Sequence, residues 1–273
     1  MFNNKKLKTM KNSFFNKLVA IALIAFFTFG YACKKKEDAP EIPPQNSLVM
    51  NLDDFQDGTK STKDILTAAN WGHSVVKVFI WNVLLTIGMA VPVASFVESF
   101  NHEPKWHRRD GGYWSWEYSY SIGINTYNAE LIGKVENDIV TWEMSINEFL
   151  WYSGESALDK TSGFWILNEN ASNPNELLEI TWNDDHNGNA DIKYLNIKPS
   201  GAENGGYIFY GKTSTGEFDR FYDIYNKSDD NLTEIEWNYS DKHGRVKDPG
   251  EFGDSDWHCW DTTLQDDSCM VAK

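Results

Sequence analysis

The chain has 273 residues and a formal net charge of -15, from 25 basic and 40 acidic side chains. Residues 1–32 contain five lysines and no acid, so the remainder holds 20 basic against 40 acidic side chains. This balance excludes a nucleic-acid binder, which needs a basic face, and also excludes electrostatic docking on an anionic bilayer. A hydrophobic content of 41% with 15% aromatic residues excludes a disordered chain.

The N-terminus has the pattern of an export signal. Five lysines precede the stretch Leu18–Phe29, which is almost uninterrupted in apolar residues. That stretch is too short to span a bilayer, but its length is typical of the hydrophobic part of a signal peptide. The small residues Gly30 and Ala32 then lead to Cys33. We therefore predict a signal peptide over residues 1–32.

The sequence Gly30–Cys33 resembles the lipobox of bacterial lipoprotein precursors, with Gly30 where that family usually has Leu. The charged stretch 34–38 resembles the start of the tether in Bacteroidetes-type lipoproteins, which is associated with export to the cell surface. The resemblance implies acylation of Cys33, an outer-membrane location on the periplasmic face or the cell surface, and the membrane as a partner through that lipid. It covers roughly the first 40 residues and leaves the mature domain unassigned. Three prolines then predict a flexible tether over 33–48.

The cysteine count agrees with this resemblance. Of three cysteines, acylation of Cys33 leaves Cys259 and Cys269 as a pair, and exported cysteines usually form disulfides. We therefore expect a disulfide that fixes an acidic tail over 248–273. Two free thiols are the alternative.

The mature chain reads as one globular domain over 49–273, with helices in 62–100, strands in 110–247 and the acidic tail at its end. Ser61 and Asp64 predict the start of a short helix that Gly72 breaks. Residues 78–97 then pass without a charge. Length alone makes this stretch a membrane-span candidate. Pro92 and a weakly polar stripe along the stretch favour a buried helix wrapped by a curved sheet.

Alternating apolar residues begin after Gly112 and predict ten strands separated by turn signals. The interpretation is a mainly β fold, an antiparallel β-meander forming a barrel or half-barrel around the hydrophobic helix, with an Ig-like sandwich as the alternative. The predicted strands cover 114–122, 129–135, 140–146, 149–155, 162–168, 176–183, 189–198, 205–212, 217–226 and 231–239.

Aromatic residues supply the candidate ligand-binding side chains. They could stack on sugar rings, or they could pack the helix and the end of the barrel. The candidates are Trp114, Trp116, Tyr118 and Tyr120, on one face of the first strand, with Trp257 and Trp260 in the tail.

Carboxylates in the tail suggest a possible calcium site at Asp254, Asp256 and Asp261, with a packed irregular tail as the alternative. Residues 183–191 imitate the start of a calcium loop, although their Asn-Gly pair favours a hairpin turn. A zinc pair at His102 and His107 lacks further ligands nearby.

No catalytic motif is present in the sequence, so an enzyme is the less favoured reading. We expect a non-enzymatic surface lipoprotein that binds a glycan, another ligand or a protein partner. The alternatives are a carrier of hydrophobic molecules with the helix as a lid, and a carbohydrate-active enzyme using two carboxylates. The candidate acids are Glu117, Glu130, Glu143, Glu179, Glu234 and Glu236.

Overall fold

The computed structural model describes residues 38–50, 55, 69–108 and 111–269. The chain divides into two compact units, residues 1–38 and 39–273, and nearly all described residues belong to the second. The predicted signal peptide, Cys33 and the helix start at Ser61 lie outside the described residues.

In the described part of the chain, fourteen strands form one antiparallel sheet in which every strand pairs with its neighbours in chain order. They are β1 (Lys105–His107), β2 (Tyr113–Ile122), β3 (Asn125–Glu136), β4 (Ile139–Ile146), β5 (Phe149–Ala157), β6 (Ser162–Asn170), β7 (Asn173–Asp184), β8 (Ala190–Asn196), β9 (Tyr207–Lys212), β10 (Arg220–Asn226), β11 (Asn231–Trp237), β12 (Gly244–Lys247), β13 (His258–Trp260) and β14 (Asp266–Asp267).

The predicted meander is confirmed, and each of the ten predicted strands overlaps an observed one, β2 to β11. Among the described residues, no pairing joins β1 to β14, so the sheet is open and the half-barrel alternative applies. Sequential pairing also lacks the crossovers of a Greek-key sandwich. The strands β1, β12, β13 and β14 have no counterpart among the ten predicted strands, because two to four residues are too short for a periodic pattern.

One face of the sheet forms the core, because side chains alternate between the two faces of a strand. On β4, Val140, Trp142, Met144 and Ile146 are buried, while the residues between them are more exposed. Trp182 on β7 and Trp237 on β11 follow the same rule, and both indoles are buried.

Tryptophans on this face pack over glycines of the neighbouring strands. Trp142 lies opposite Gly133 on β3 and Gly154 on β5, and Trp165 also lies opposite Gly154. A Cβ added at Gly133 would approach the Trp142 ring to 2.7 Å. Each glycine therefore provides the space for a large ring, which a side chain would remove.

A long helix, α1 (Ala69–Ser99), lies against this face. The predicted 78–97 helix is confirmed within it, but the predicted break at Gly72 is wrong because the helix continues through that residue. Trp71, Val75, Val78 and Phe96 are buried against the core.

The helix is covered on one side only, so the predicted burial holds for the side that faces the sheet. Phe79 and Ile80 are each 53% exposed, although the segment is apolar all round. An open sheet covers one flank of a helix, whereas a closed barrel would cover it all round. The outer side of the first half of α1 therefore presents apolar side chains to solvent.

Helix α1 is bent by 71° between Ala69–Val83 and Gly88–Ser99. Pro92 has no N–H to donate to the carbonyl four residues earlier, that of Gly88, where the second arm begins. Among the described helices, none by itself is long and apolar enough to cross a membrane, and these two bent arms meet that test only as a pair.

The segment before α1 belongs to the fold, so the predicted flexible tether is wrong for residues 40–48. Pro40, Pro43, Ser47 and Leu48 are buried. The hydroxyl of Tyr194 on β8 donates to the carbonyl of Leu48 (2.8 Å) and accepts the N–H of Met50 (2.7 Å). These residues fill part of the concave face that α1 leaves uncovered.

The acidic tail is fixed to the sheet as predicted. Cys259 and Cys269 form a disulfide with a Cα–Cα distance of 5.2 Å. Trp260 is buried and donates from Nε1 to the Lys242 carbonyl (2.7 Å). A short helix, α2 (Pro249–Phe252), precedes β13. The tail is therefore more regular than expected, since β13 and β14 extend the sheet.

Candidate ligand-binding cavity

A cavity of about 470 Å³ lies between the middle of α1 and the sheet. This volume is in the range typical of small-molecule sites. Its apolar walls come from both elements: Ile80, Trp81, Leu85 and Met89 of the helix, and Leu167, Leu177, Leu178 and Ile224 of the strands.

The cavity follows from the way α1 is held at its two ends. At the first end, Asn70 donates to the Cys259 carbonyl (2.9 Å) and its N–H donates to Asp266 (2.9 Å). At the other end, the hydroxyls of Tyr118 and Tyr120 donate to the carbonyls of Ser95 (2.6 Å) and Val91 (3.1 Å). The 71° bend lies between these attachments, beside the cavity-lining residues Leu85 and Gly88.

A buried carboxylate, that of Asp248, fixes one side of the cavity. Its side chain is fully buried and accepts hydrogen bonds from His73 (2.8 Å), Asn231 (2.7 Å) and Thr233 (2.8 Å), with Lys77 Nζ at 3.1 Å. Burial opposes ionisation, but the bonds from Asn231, His73, Thr233 and Lys77 prevail and hold the pKa of Asp248 well below its usual range. Because Lys77 and Thr233 also line the cavity, this network positions its wall.

Polar groups also line the cavity near the β8–β9 and β10–β11 connections, the second of which leads into Asn231 beside Asp248. Asn196, Glu203, Tyr225 and Asn226 contribute to the lining there. The arrangement is an apolar chamber with a few polar groups at its margin. Such a site fits a mainly hydrocarbon ligand with a small polar end.

The predicted aromatic ladder faces the helix. Trp114, Trp116 and Tyr118 are buried, and Tyr120 is partly buried. The hydroxyls of the two tyrosines bond to the helix backbone, so this face packs α1. A ligand-binding role for these rings stays a prediction, and Trp116 also lines a depression of about 500 Å³ beside Phe100 and His102.

The tail residues are also placed by packing. Trp260 is buried, whereas Trp257 lies under the guanidinium of Arg245 at 4.2 Å from the ring centroid. Among the described residues, no three His, Cys, Asp or Glu side chains form a group that could hold a metal ion. Asp254, Asp256 and Asp261 are among the described residues, and their arrangement gives no support to the predicted calcium site.

The other motifs singled out in the sequence lie in the β7–β8 turn, just after α1 and at the end of β1. Residues 185–189 connect β7 to β8 as the favoured hairpin turn, and Asp185 accepts backbone N–H groups from Asn187 (2.7 Å) and Asn189 (3.0 Å). His102 stacks on Tyr118, with ring centroids 4.7 Å apart, and His107 stacks on Tyr113. The two histidines therefore have separate partners.

The candidate catalytic acids lie on strand positions that point away from the core. Glu117 and Glu130 are direct cross-strand neighbours, and Glu234 is opposite Asp223. Burial, and then the carboxylates of Glu234 and Glu236, raise the pKa of Asp223 to about 6. None of these six predicted acids is among the cavity-lining residues.

Sequence reasoning missed the cavity as a set of residues. It identified the helix that forms one wall, but it gave no indication of which strands would lie opposite. Leu167 and Leu178 are partners on the neighbouring strands β6 and β7, whereas Ile224 comes from β10, and all three look like any other inward residue of a strand. Their proximity depends on the sheet's curvature and on the helix bend.

Comparison with known proteins gives no match to this chain among protein families, curated proteins or solved structures. The functional argument therefore rests on the cavity itself.

Proposed function

We propose that this protein is a lipid-anchored envelope protein that binds a hydrophobic small molecule, such as a single acyl chain, under the bend of α1. The observation that supports binding is the cavity of about 470 Å³ with apolar walls from helix and sheet. Burial of hydrocarbon from water supplies the driving force, at roughly 0.8 kcal/mol per methylene group. The signal-like N-terminus and the lipobox resemblance support the anchor on Cys33.

Ligand binding can be tested on the purified protein without assuming the identity of the ligand. Native mass spectrometry would detect a co-purified lipid. Titration with a fluorescent fatty acid would measure binding after delipidation. We expect saturable binding, and displacement of the fluorescent probe by an unlabelled fatty acid. The proposal is wrong if no lipid co-purifies and no saturable binding is measured.

A variant that fills the cavity makes the test specific to this site. Leu178→Trp adds a large ring at a buried, cavity-lining position, and should weaken fatty-acid binding by at least about tenfold. Leu150→Trp is the matched control, because Leu150 is 38% exposed and is not among the cavity-lining residues. Circular dichroism confirms that both variants fold. Equal binding by the two variants would place the ligand elsewhere.

The anchor needs a separate measurement. Intact mass analysis of protein extracted from membranes should show acyl chains on Cys33, and Cys33→Ser should release the protein into the soluble fraction. An unmodified Cys33 in the extracted protein would disprove the anchor and leave the cavity proposal standing.

A further inference from the structure

The outer side of α1 carries a row of exposed apolar side chains, which we call the apolar stripe: Val76, Phe79, Ile80 and Val83. Their spacing of three, one and three residues places them on one side of a helix. Val76 and Val83 are 45% and 39% exposed, so the whole row is open to solvent in the described structure. Contiguous apolar surface of this kind marks a contact site in soluble domains.

The stripe is also free of charge. Lys77 and Glu98 are the two Asp, Glu, Lys or Arg residues in α1, and Lys77 turns away to contact Asp248. The rest of the chain after residue 32 is strongly acidic. A charged partner surface would find no complementary group on the stripe, whereas hydrocarbon would.

The length of chain before the described fold limits where the protein can lie. Five residues lie between Cys33 and Ala39, where the second unit begins, and this length of chain spans at most about 20 Å. Ala39 and Ile42 line a depression together with Phe100, just beyond the end of α1. A lipid on Cys33 would therefore keep Ala39, where this unit begins, within about 20 Å of the bilayer.

The stripe is continuous with the cavity. Ile80 belongs to both, since it is half exposed on the stripe and lines the cavity. The exposed Gly88 lines the cavity as well. A hydrocarbon chain leaving a bilayer in contact with the stripe would meet the cavity without crossing a charged surface.

We propose that the apolar stripe docks on the lipid bilayer, and that the cavity receives its acyl chain directly from that bilayer. This inference rests on the proposed function, because it names the source of the ligand. Neutral, zwitterionic lipid is the expected surface, because the acidic body would be repelled by anionic lipid.

A label on the stripe tests the docking. Phe79→Cys introduces a thiol for a fluorescent label in the full mature protein, and Ile124→Cys is the matched control because Ile124 is 98% exposed in the β2–β3 turn. The labelled proteins are mixed with phosphatidylcholine vesicles that contain doxyl-labelled lipid, which quenches a nearby fluorophore. We expect quenching at position 79 at least about threefold greater than at position 124. Phosphatidylglycerol in the vesicles should reduce it.

Equal or absent quenching at position 79 would overturn the docking proposal, whether or not Cys33 is acylated. A change of fluorescence that depends on protein concentration and not on lipid would assign the stripe to a second copy of the chain. Fatty-acid binding without quenching would leave the proposed function intact and remove the bilayer as its source. Quenching without fatty-acid binding would support docking on the bilayer and disprove the proposed binding of an acyl chain.

Discussion

Two buried tyrosines on the core face differ in whether their hydroxyls are bonded. Tyr194 bonds both to Leu48 and to Met50, while the hydroxyl of Tyr152 has no hydrogen-bonding partner among the described residues. Burial raises the pKa of both hydroxyls, which therefore stay neutral. The two residues should thus respond in opposite ways to the same substitution.

Replacement by phenylalanine tests this difference. Tyr194→Phe should lower the free energy of unfolding by about 1–3 kcal/mol, because it leaves two backbone groups unpaired. Tyr152→Phe should be neutral or stabilising, by up to about 1 kcal/mol, because it removes an unsatisfied polar atom. Urea unfolding followed by fluorescence measures both. A larger loss for Tyr152→Phe than for Tyr194→Phe would contradict the bonding described.

Asp223 gives a pH-dependent prediction. Its pKa of about 6 in the fold, against about 3.9 unfolded, means that the folded state binds more protons between those values. Stability from this residue is therefore greatest below about pH 4 and is lost as the pH rises through about 6.

Asp223→Asn should raise the unfolding free energy by about 1–2 kcal/mol at pH 7.5, after allowance for solvent screening, and change it little at pH 4. Thermal unfolding across this pH range measures the difference. A gain of the same size at both pH values would show that ionisation is not its cause.

At the scale of elements, Asp248 joins three parts of the fold: α1, β11 and α2. His73 and Lys77 reach it from the helix, Asn231 and Thr233 from the strand, and it caps the N-terminus of α2 by accepting the N–H of Glu251. Because its pKa is lowered in the fold, its contribution is present above about pH 4 and is lost as the pH falls below that value.

Asp248→Asn should cost about 2–4 kcal/mol at pH 7, because buried donors lose their charged acceptor. Denaturant unfolding measures the cost, which should shrink in acid as the wild-type carboxylate becomes protonated. Asp256→Asn is the control, since Asp256 is exposed and should change stability by less than about 0.5 kcal/mol. Similar losses of stability for both variants would show that Asp248 does not connect the three elements.

The packing of tryptophan over glycine gives a prediction for the sheet. A Cβ at Gly154 would lie 2.0 Å from the Phe164 carbonyl oxygen and 2.8 Å from the Trp165 ring. Gly154→Ala should therefore destabilise the fold by about 2–3 kcal/mol through overpacking. Gly88→Ala is the matched control. Its Cβ would meet nothing within 4 Å, and alanine favours a helix, so stability should be unchanged or higher.

At the scale of the whole molecule, the segment before α1 is a structural part of the domain. Leu48→Ala removes a side chain with no exposure and should cost about 2–5 kcal/mol. Leu150→Ala, at a 38% exposed position, should cost less than about 1 kcal/mol. Chemical denaturation of the two variants compares them. If residues 40–48 were a flexible tether, both substitutions would be harmless.

The sequence by itself determined the sheet. Alternating residues with short turns indicate strands locally, and without intervening helices consecutive strands pair in order, so β2 to β11 were predictable. The uncharged stretch similarly predicted a helix against that sheet. The pairing of Cys259 with Cys269 followed from the lipoprotein resemblance and the cysteine count.

The tertiary structure decided everything that depends on distance between elements. Whether the sheet closes is set by its accumulated twist and curvature, which no local pattern encodes. The open sheet left one side of α1 exposed, and the bend left space under Leu85. Leu48 belongs to the core because Tyr194 lies opposite it, 146 residues away. The cavity exists because separate segments meet there, and a meeting of that kind becomes visible only in the folded chain.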